Sequence, residues 1–172
     1  MTDRKSKKAG ATRVPRRRFI RDVVAAGAAV EALSGAAAAQ TARAGGIRSF
    51  DHVALPMQNT DAMLAFYRGL GLEIAENVQA CSVYIGTQMI NFHRPALWQR
   101  ETFTLRAPAA KPPCGDLCFV WDGTADSLKA MLDRAGAKVI EGPVARQGGR
   151  KSAASSVYVR DPDGNLLEFM IY

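Results

Sequence analysis

The 172-residue chain is long enough for one domain with an appendage. Its formal charge of +7 lies entirely in the first 44 residues, which hold ten Lys/Arg against three Asp/Glu, whereas residues 45–172 hold thirteen of each. A neutral body excludes a nucleic-acid partner, whose phosphates would require a basic face on the folded part.

The basic front has a form of its own. Arg16-Arg17-Arg18-Phe19-Ile20-Arg21 fits the twin-arginine export pattern of two arginines, any residue, two bulky apolar residues and a basic one. A mildly apolar, Ala/Gly-rich run from Val23 to Ala39 follows, too short and too weak for a stable membrane span. Ala42-Arg43-Ala44 and Ala37-Ala38-Ala39 both offer small-x-small cleavage. The expectation is a leader over residues 1–44, delivery by the twin-arginine machinery to the periplasm or beyond, and a mature domain over 45–172. Cys81, Cys114 and Cys118 are an odd set with no metal-finger spacing. A Cys114–Cys118 bridge would have to span about 13 Å of strand, so no disulfide framework is expected.

Ser49–Leu55 alternates like a strand, and Asn59 or Thr60 is placed to cap a helix over Asp61–Arg68 whose apolar face is Met63, Leu64, Phe66 and Tyr67. Leu72–Ala75, Ser82–Ile85 and Met89–His93 read as short strands. Residues 94–113, with four prolines, read as a linker between half-domains. The pattern then restarts: strand Asp116–Trp121, cap Thr124, helix Ala125–Ala135, strand Lys138–Glu141, a polar stretch Gly142–Ser155, and strands Ser156–Arg160 and Asn165–Ile171. Asp161-Pro162-Asp163-Gly164-Asn165 has turn chemistry and lacks the twelve-residue spacing of a calcium loop.

The chain is therefore one unit written twice. Phe50–Leu55 matches Gly115–Phe119, Leu70–Glu76 matches Ala135–Glu141, and Gly86–Phe92 matches Asp163–Phe169. Strand period two sorts the side chains. Leu117, Phe119 and Trp121 share a face, as do Ile90 and Phe92, and Leu167, Phe169 and Ile171; these are expected under the helices. The opposite faces carry His52, Asn91 with His93, Asp116 with Cys118, and Glu168. Asp116 and Glu168 sharing one cavity would repel unless a cation lay between them, and a divalent ion with His52 as nitrogen donor removes that difficulty.

Residues 47–172 resemble the vicinal oxygen chelate superfamily, which includes glyoxalase I, bleomycin-resistance proteins and extradiol dioxygenases. The resemblance is carried by Asp51-His52-Val53-Ala54-Leu55, Ala65–Leu72, Gly115-Asp116-Leu117-Cys118-Phe119 and, most specifically, Asp161–Glu168. Ile90–His93 with Asp116–Phe119 is similar to its small, single-domain glyoxalase-domain branch. The resemblance implies an α+β fold of two βαβββ modules, about 47–94 and 114–172, whose sheets form an open metal-binding cup. It puts the first-strand ligand on His52 and the last-strand ligand on Glu168. The fifth-strand ligand, usually His, falls on Asp116. The fourth-strand position, often Glu, falls on Asn91, with His93 on the same face and the better ligand chemically. This donor set suits Fe, Zn, Ni or Mn without choosing among them.

Two functions follow. In one, the divalent ion is a Lewis acid toward vicinal oxygens of a small substrate, with Glu168 or Asp116 moving a proton, in lyase/isomerase or ring-cleaving dioxygenase chemistry. In the other, the cup sequesters a ligand without metal. Met89, Trp98, Cys118, Leu166 and Met170 would line it, and Arg146, Arg150 and Lys151 would be a lid or merely a solvated loop. A homodimer is expected from the superfamily's habit of pairing modules across chains, with the paired modules of a single chain as the alternative.

Overall fold

Side chains that alternate between a wet and a dry face make each short strand here, and two such sets make the body of the molecule. The computed structural model describes residues 45–172; the expected twin-arginine leader, residues 1–44, lies outside the described residues. In chain order the elements are β1 (His52–Pro56), α1 (Thr60–Gly69), β2 (Glu73–Glu76), β3 (Ala80–Ile85), β4 (Gln88–His93), a short α2 (Pro95–Trp98), β5 (Asp116–Val120), α3 (Ala125–Arg134), β6 (Val139–Gln147), β7 (Ala153–Arg160) and β8 (Leu166–Ile171).

They form two four-stranded sheets of the same topology, β1-β4-β3-β2 and β5-β8-β7-β6. In each the first strand pairs parallel with the last and the remaining pairs are antiparallel. Two βαβββ modules in an α+β fold are thus present, and neither sheet closes into a barrel.

The helices pack as their apolar spacing dictates. Met63, Leu64, Phe66 and Tyr67 of α1 and Leu128, Met131 and Leu132 of α3 are buried. Ile90, Phe92, Leu167 and Phe169 meet them from the sheets, in one core cluster that draws on both modules. Burial of this kind contributes about 1.5–3 kcal/mol for each large apolar side chain.

Thr124 caps α3 as expected, its hydroxyl accepting from Ser127 N at 3.2 Å. Neither Asn59 nor Thr60 caps α1 with its side chain. Asn59 is used elsewhere: its backbone N–H and side-chain amide both donate to Asp163, at 2.8 and 2.9 Å. The Asp161–Asn165 turn is accordingly a clamp between modules. Asp163 also accepts from Gln58 N at 2.6 Å, and Asn165 Oδ1 accepts from Cys114 N and Gly115 N at 3.0 and 2.8 Å.

The polar stretch Gly142–Ser155 is mostly strand, not loop. β6 continues to Gln147 and β7 begins at Ala153, with register shifts on either side of Glu141. An edge strand tolerates Pro143 because its outer N–H positions need no ladder partner. Gly142 has φ +117°, and a Cβ there would lie 2.6 Å from Ser156 O, so the bulge requires glycine.

Candidate functional site

The polar faces of the two sheets open into two depressions. The first is about 460 Å³ and is floored by His52 and Ala54 of β1 and by Asn91 and His93 of β4. His52 is exposed, and its Nδ1 lies 2.6 Å from Asp51 Oδ1. A carboxylate against Nδ1 orients the ring and leaves Nε2 facing away from it, the orientation that metal-binding histidines take. His93 is 8% exposed; burial pushes its pKa below 6.5, so it is neutral at pH 7. Its Nε2 is 3.5 Å from Asn91 Nδ2, and its ring stands edge-on to Phe103 at 5.2 Å.

The second depression is about 400 Å³, with Asp116 of β5, Leu166 and Glu168 of β8, Tyr158 and Arg160 of β7, and Ile140, Glu141 and Arg146 of β6. Glu168 Oε1 accepts from the buried Ser156 hydroxyl at 2.5 Å, which orients the carboxylate. Arg146 Nε donates to the Tyr158 hydroxyl at 3.0 Å and its Nη2 reaches Glu141 at 3.3 Å. Cys118 stands opposite Glu168 in the β5–β8 register; desolvation first, then the Glu168 charge, push its thiol up to about 11.

The duplicated register sharpens the sequence assignments. In β1–β4, Ala54 stands opposite Asn91; in β5–β8, Cys118 stands opposite Glu168. Asn91 therefore holds in the first module the place that Glu168 holds in the second, and His52 the place of Asp116. His93 lies one side chain further along the same face, opposite Pro56.

Within one chain His52, Asn91 and His93 come together, as do Asp116 and Glu168, but the two groups line different depressions. Among the described residues no three His, Cys, Asp or Glu side chains converge in a set able to hold a metal ion. The helix-side residues of both modules share one core cluster, and His52, Asn91, Asp116 and Glu168 lie outside it. Ala54 and Cys118 on those faces are exposed.

Several side chains fall elsewhere than expected. Trp98 is an anchor, its indole donating to Met57 O at 2.8 Å, and Met170 is buried. Arg150 stacks 4.5 Å over the Tyr172 ring, apart from both depressions. Leu97, Phe103 and Leu105, from the stretch read as a linker, line the first depression. Their only trace in the sequence is large apolar residues in a proline-rich segment.

Comparison with known proteins agrees with this architecture. The profile of the Glyoxalase/Bleomycin resistance protein/Dioxygenase superfamily matches residues 49–169. "Glyoxalase domain-containing protein RDO1" of Mycosarcoma maydis is 36% identical over 128 residues, covering 73% of this chain and 69% of that protein. "Virulence protein STM3117" of Salmonella typhimurium is 33% identical over 128 residues, covering 73% of this chain and 85% of that one. The crystal structure of lactoylglutathione lyase from Agrobacterium tumefaciens matches with TM-score 0.56 and 26% identity, over 74% of this chain and 96% of that chain. The chain belongs to the glyoxalase/bleomycin resistance/dioxygenase superfamily. Among the described residues no helix is long and apolar enough to cross a membrane.

Proposed function

We propose that the protein is a divalent-metal-dependent enzyme of this superfamily, acting on a small substrate with vicinal oxygens, whose site is completed by a second copy of the chain. The supporting observation is the duplicated register, which gives each module half a ligand set: His52 with Asn91 and His93 on one, Asp116 with Glu168 on the other. Neither half alone brings together three His, Cys, Asp or Glu among the described residues, and an open catalytic site holds three protein ligands. The first-module face of one copy set against the second-module face of another supplies nitrogen and two carboxylates, a donor set for Fe, Zn, Ni or Mn. Cyclic pairing of two copies makes two such sites.

A divalent ion held there contributes Lewis acidity toward the substrate oxygens. The chain's own residues do the rest. Asp51 holds the His52 ring, and Ser156 holds one Glu168 oxygen, leaving the other free to take or give a proton. Asp116 is a second carboxylate beside it. Lyase/isomerase and ring-cleaving dioxygenase chemistry both fit this set. Export by the twin-arginine route, which carries folded proteins, is part of the same proposal and places the enzyme in the periplasm or outside the cell.

The test is complementation between two inactive chains. His52→Ala and Glu168→Ala, each purified as the full chain, should both lack metal by elemental mass spectrometry. Unfolded together and refolded as a mixture, they regain about a quarter of wild-type metal, because half the dimers are mixed and each mixed dimer carries one intact site. No recovery, with wild type holding metal, would place the site within one chain. No metal in wild type after incubation with these ions would leave a ligand-sequestering protein.

A further inference from the structure

The segment between the modules builds a wall. Trp98 pins α2 to the β1–α1 loop, and Arg106 donates to Pro108 O at 3.2 Å within the turn that follows. This scaffold brings Leu97, Phe103 and Leu105 over the His52–His93 face. None of the three belongs to the core cluster, and Leu105 is 83% exposed. A single exposed leucine is ordinary, but three large apolar side chains along one lip of a depression next to two imidazoles suit contact with a ligand.

The charge of that lining is as informative as its shape. Among the described residues, none of the eleven side chains that line the depression is Lys, Arg, Asp or Glu. Its polar members beyond the histidines are neutral: Asn77, Gln79, Ser82 and Asn91. Apart from a metal ion held by His52, a carboxylate or phosphate entering this space would meet no opposite charge on the lining side chains. The arginines of the other depression are engaged, Arg146 with Glu141 and Tyr158, Arg160 with Gly164 O at 2.8 Å.

We infer that this wall selects an uncharged ligand bearing an aromatic or branched apolar group beside its paired oxygens, with Phe103 and Leu105 as specificity-determining residues. The inference rests on the proposed reading of the His52 face as half of a site. Phe103 makes a T-shaped contact with His93 at 5.2 Å and lines the depression, so an aromatic or branched group entering there meets an aromatic pair.

Two probes share a vicinal oxygen pair and differ in charge: neutral 4-tert-butylcatechol and anionic 3,4-dihydroxybenzoate. Calorimetric titration of the full chain should show the neutral probe bound at least about tenfold more tightly. Phe103→Ala should weaken the neutral probe about tenfold and the anionic one little, and Leu105→Arg should reverse the preference. Both side chains lie outside the core, so the fold survives these changes. Equal affinities, preference for the anion, binding of neither probe, or a preference untouched by both substitutions would overturn the inference. Failure of the metal reading looks different: a His52→Ala/Glu168→Ala chain then binds the neutral probe as wild type does, and the preference still follows Phe103 and Leu105.

Discussion

The hydroxyl of Tyr67, on the first helix, donates to the buried carboxylate of Asp161, in the last turn, at 3.1 Å across 94 residues of sequence. Asp161 also receives Asp163 N, Asn165 N and the Asn165 side-chain amide, at 3.0, 2.9 and 2.8 Å. Burial raises its pKa above 3.8, with the Asn165 and Tyr67 donors opposing the shift, and Tyr67 is held well above its ordinary value by burial and by Asp161.

This clamp sets a stability prediction. Tyr67→Phe removes one bond to a charged group and should cost about 1–3 kcal/mol in urea unfolding followed by circular dichroism. Asp161→Ala orphans four donors at once and should cost more than Tyr67→Phe. Equal, small losses for both would show that the turn does not hold the modules together.

His93 makes folding pH-dependent in the metal-free protein. Its folded pKa lies below the unfolded 6.5 because burial disfavours the imidazolium. The unfolded chain thus binds the proton more readily. The stability that neutral His93 contributes is fully present above 6.5 and is lost as pH falls through the folded value. Thermal unfolding between about pH 5 and 8 should show melting temperature falling on acidification, and His93→Gln should flatten that slope. Parallel slopes in the two proteins would assign the pH dependence to other groups.

Most of this architecture is legible in the residues, and the illegible parts have definite causes. Period two along β1, β4, β5 and β8 separates Val53, Ile90, Leu117 and Phe169 from His52, Asn91, Asp116 and Glu168, and the structure keeps that separation. Helix spacing likewise gives the buried face of the first long helix, Met63, Leu64, Phe66 and Tyr67. Gly142-Pro143 reads as a break because both residues usually end strands; only the edge position and the bulge opposite Ser156 and Val157 explain their presence inside one. Asn59 reads as a cap because local pattern cannot register an acceptor 104 residues away. Strand alternation names the polar faces but is silent on whether two such faces meet in one chain, since that depends on which sides the modules bury against each other.

Export is tested on the full chain in a bacterial host with the twin-arginine machinery. Arg16→Lys with Arg17→Lys keeps the charge of the leader while removing the paired guanidinium groups. The wild-type chain should fractionate with the periplasm at reduced length, and the double variant should stay in the cytoplasm at full length. Identical fractionation of the two would remove the twin-arginine reading of residues 16–21 and leave the folded domain's assignment intact.

Asp51 tests the metal reading without replacing a ligand. Its carboxylate meets His52 Nδ1 at 2.6 Å, and both side chains are exposed, at 87% and 46%. A pair so open to water contributes little to folding, so Asp51→Asn should leave the melting temperature of the metal-free chain within about 1 °C of wild type. Its effect belongs to the other ring nitrogen. Loss of the carboxylate frees the ring to rotate, and changes of this kind typically cost about 10–100-fold in metal affinity. Competition with a chromogenic chelator measures that affinity directly. Asp51→Glu, which keeps a carboxylate within reach, should recover part of it. Unchanged metal affinity in Asp51→Asn would show that the His52–Asp51 contact does not orient a ligand.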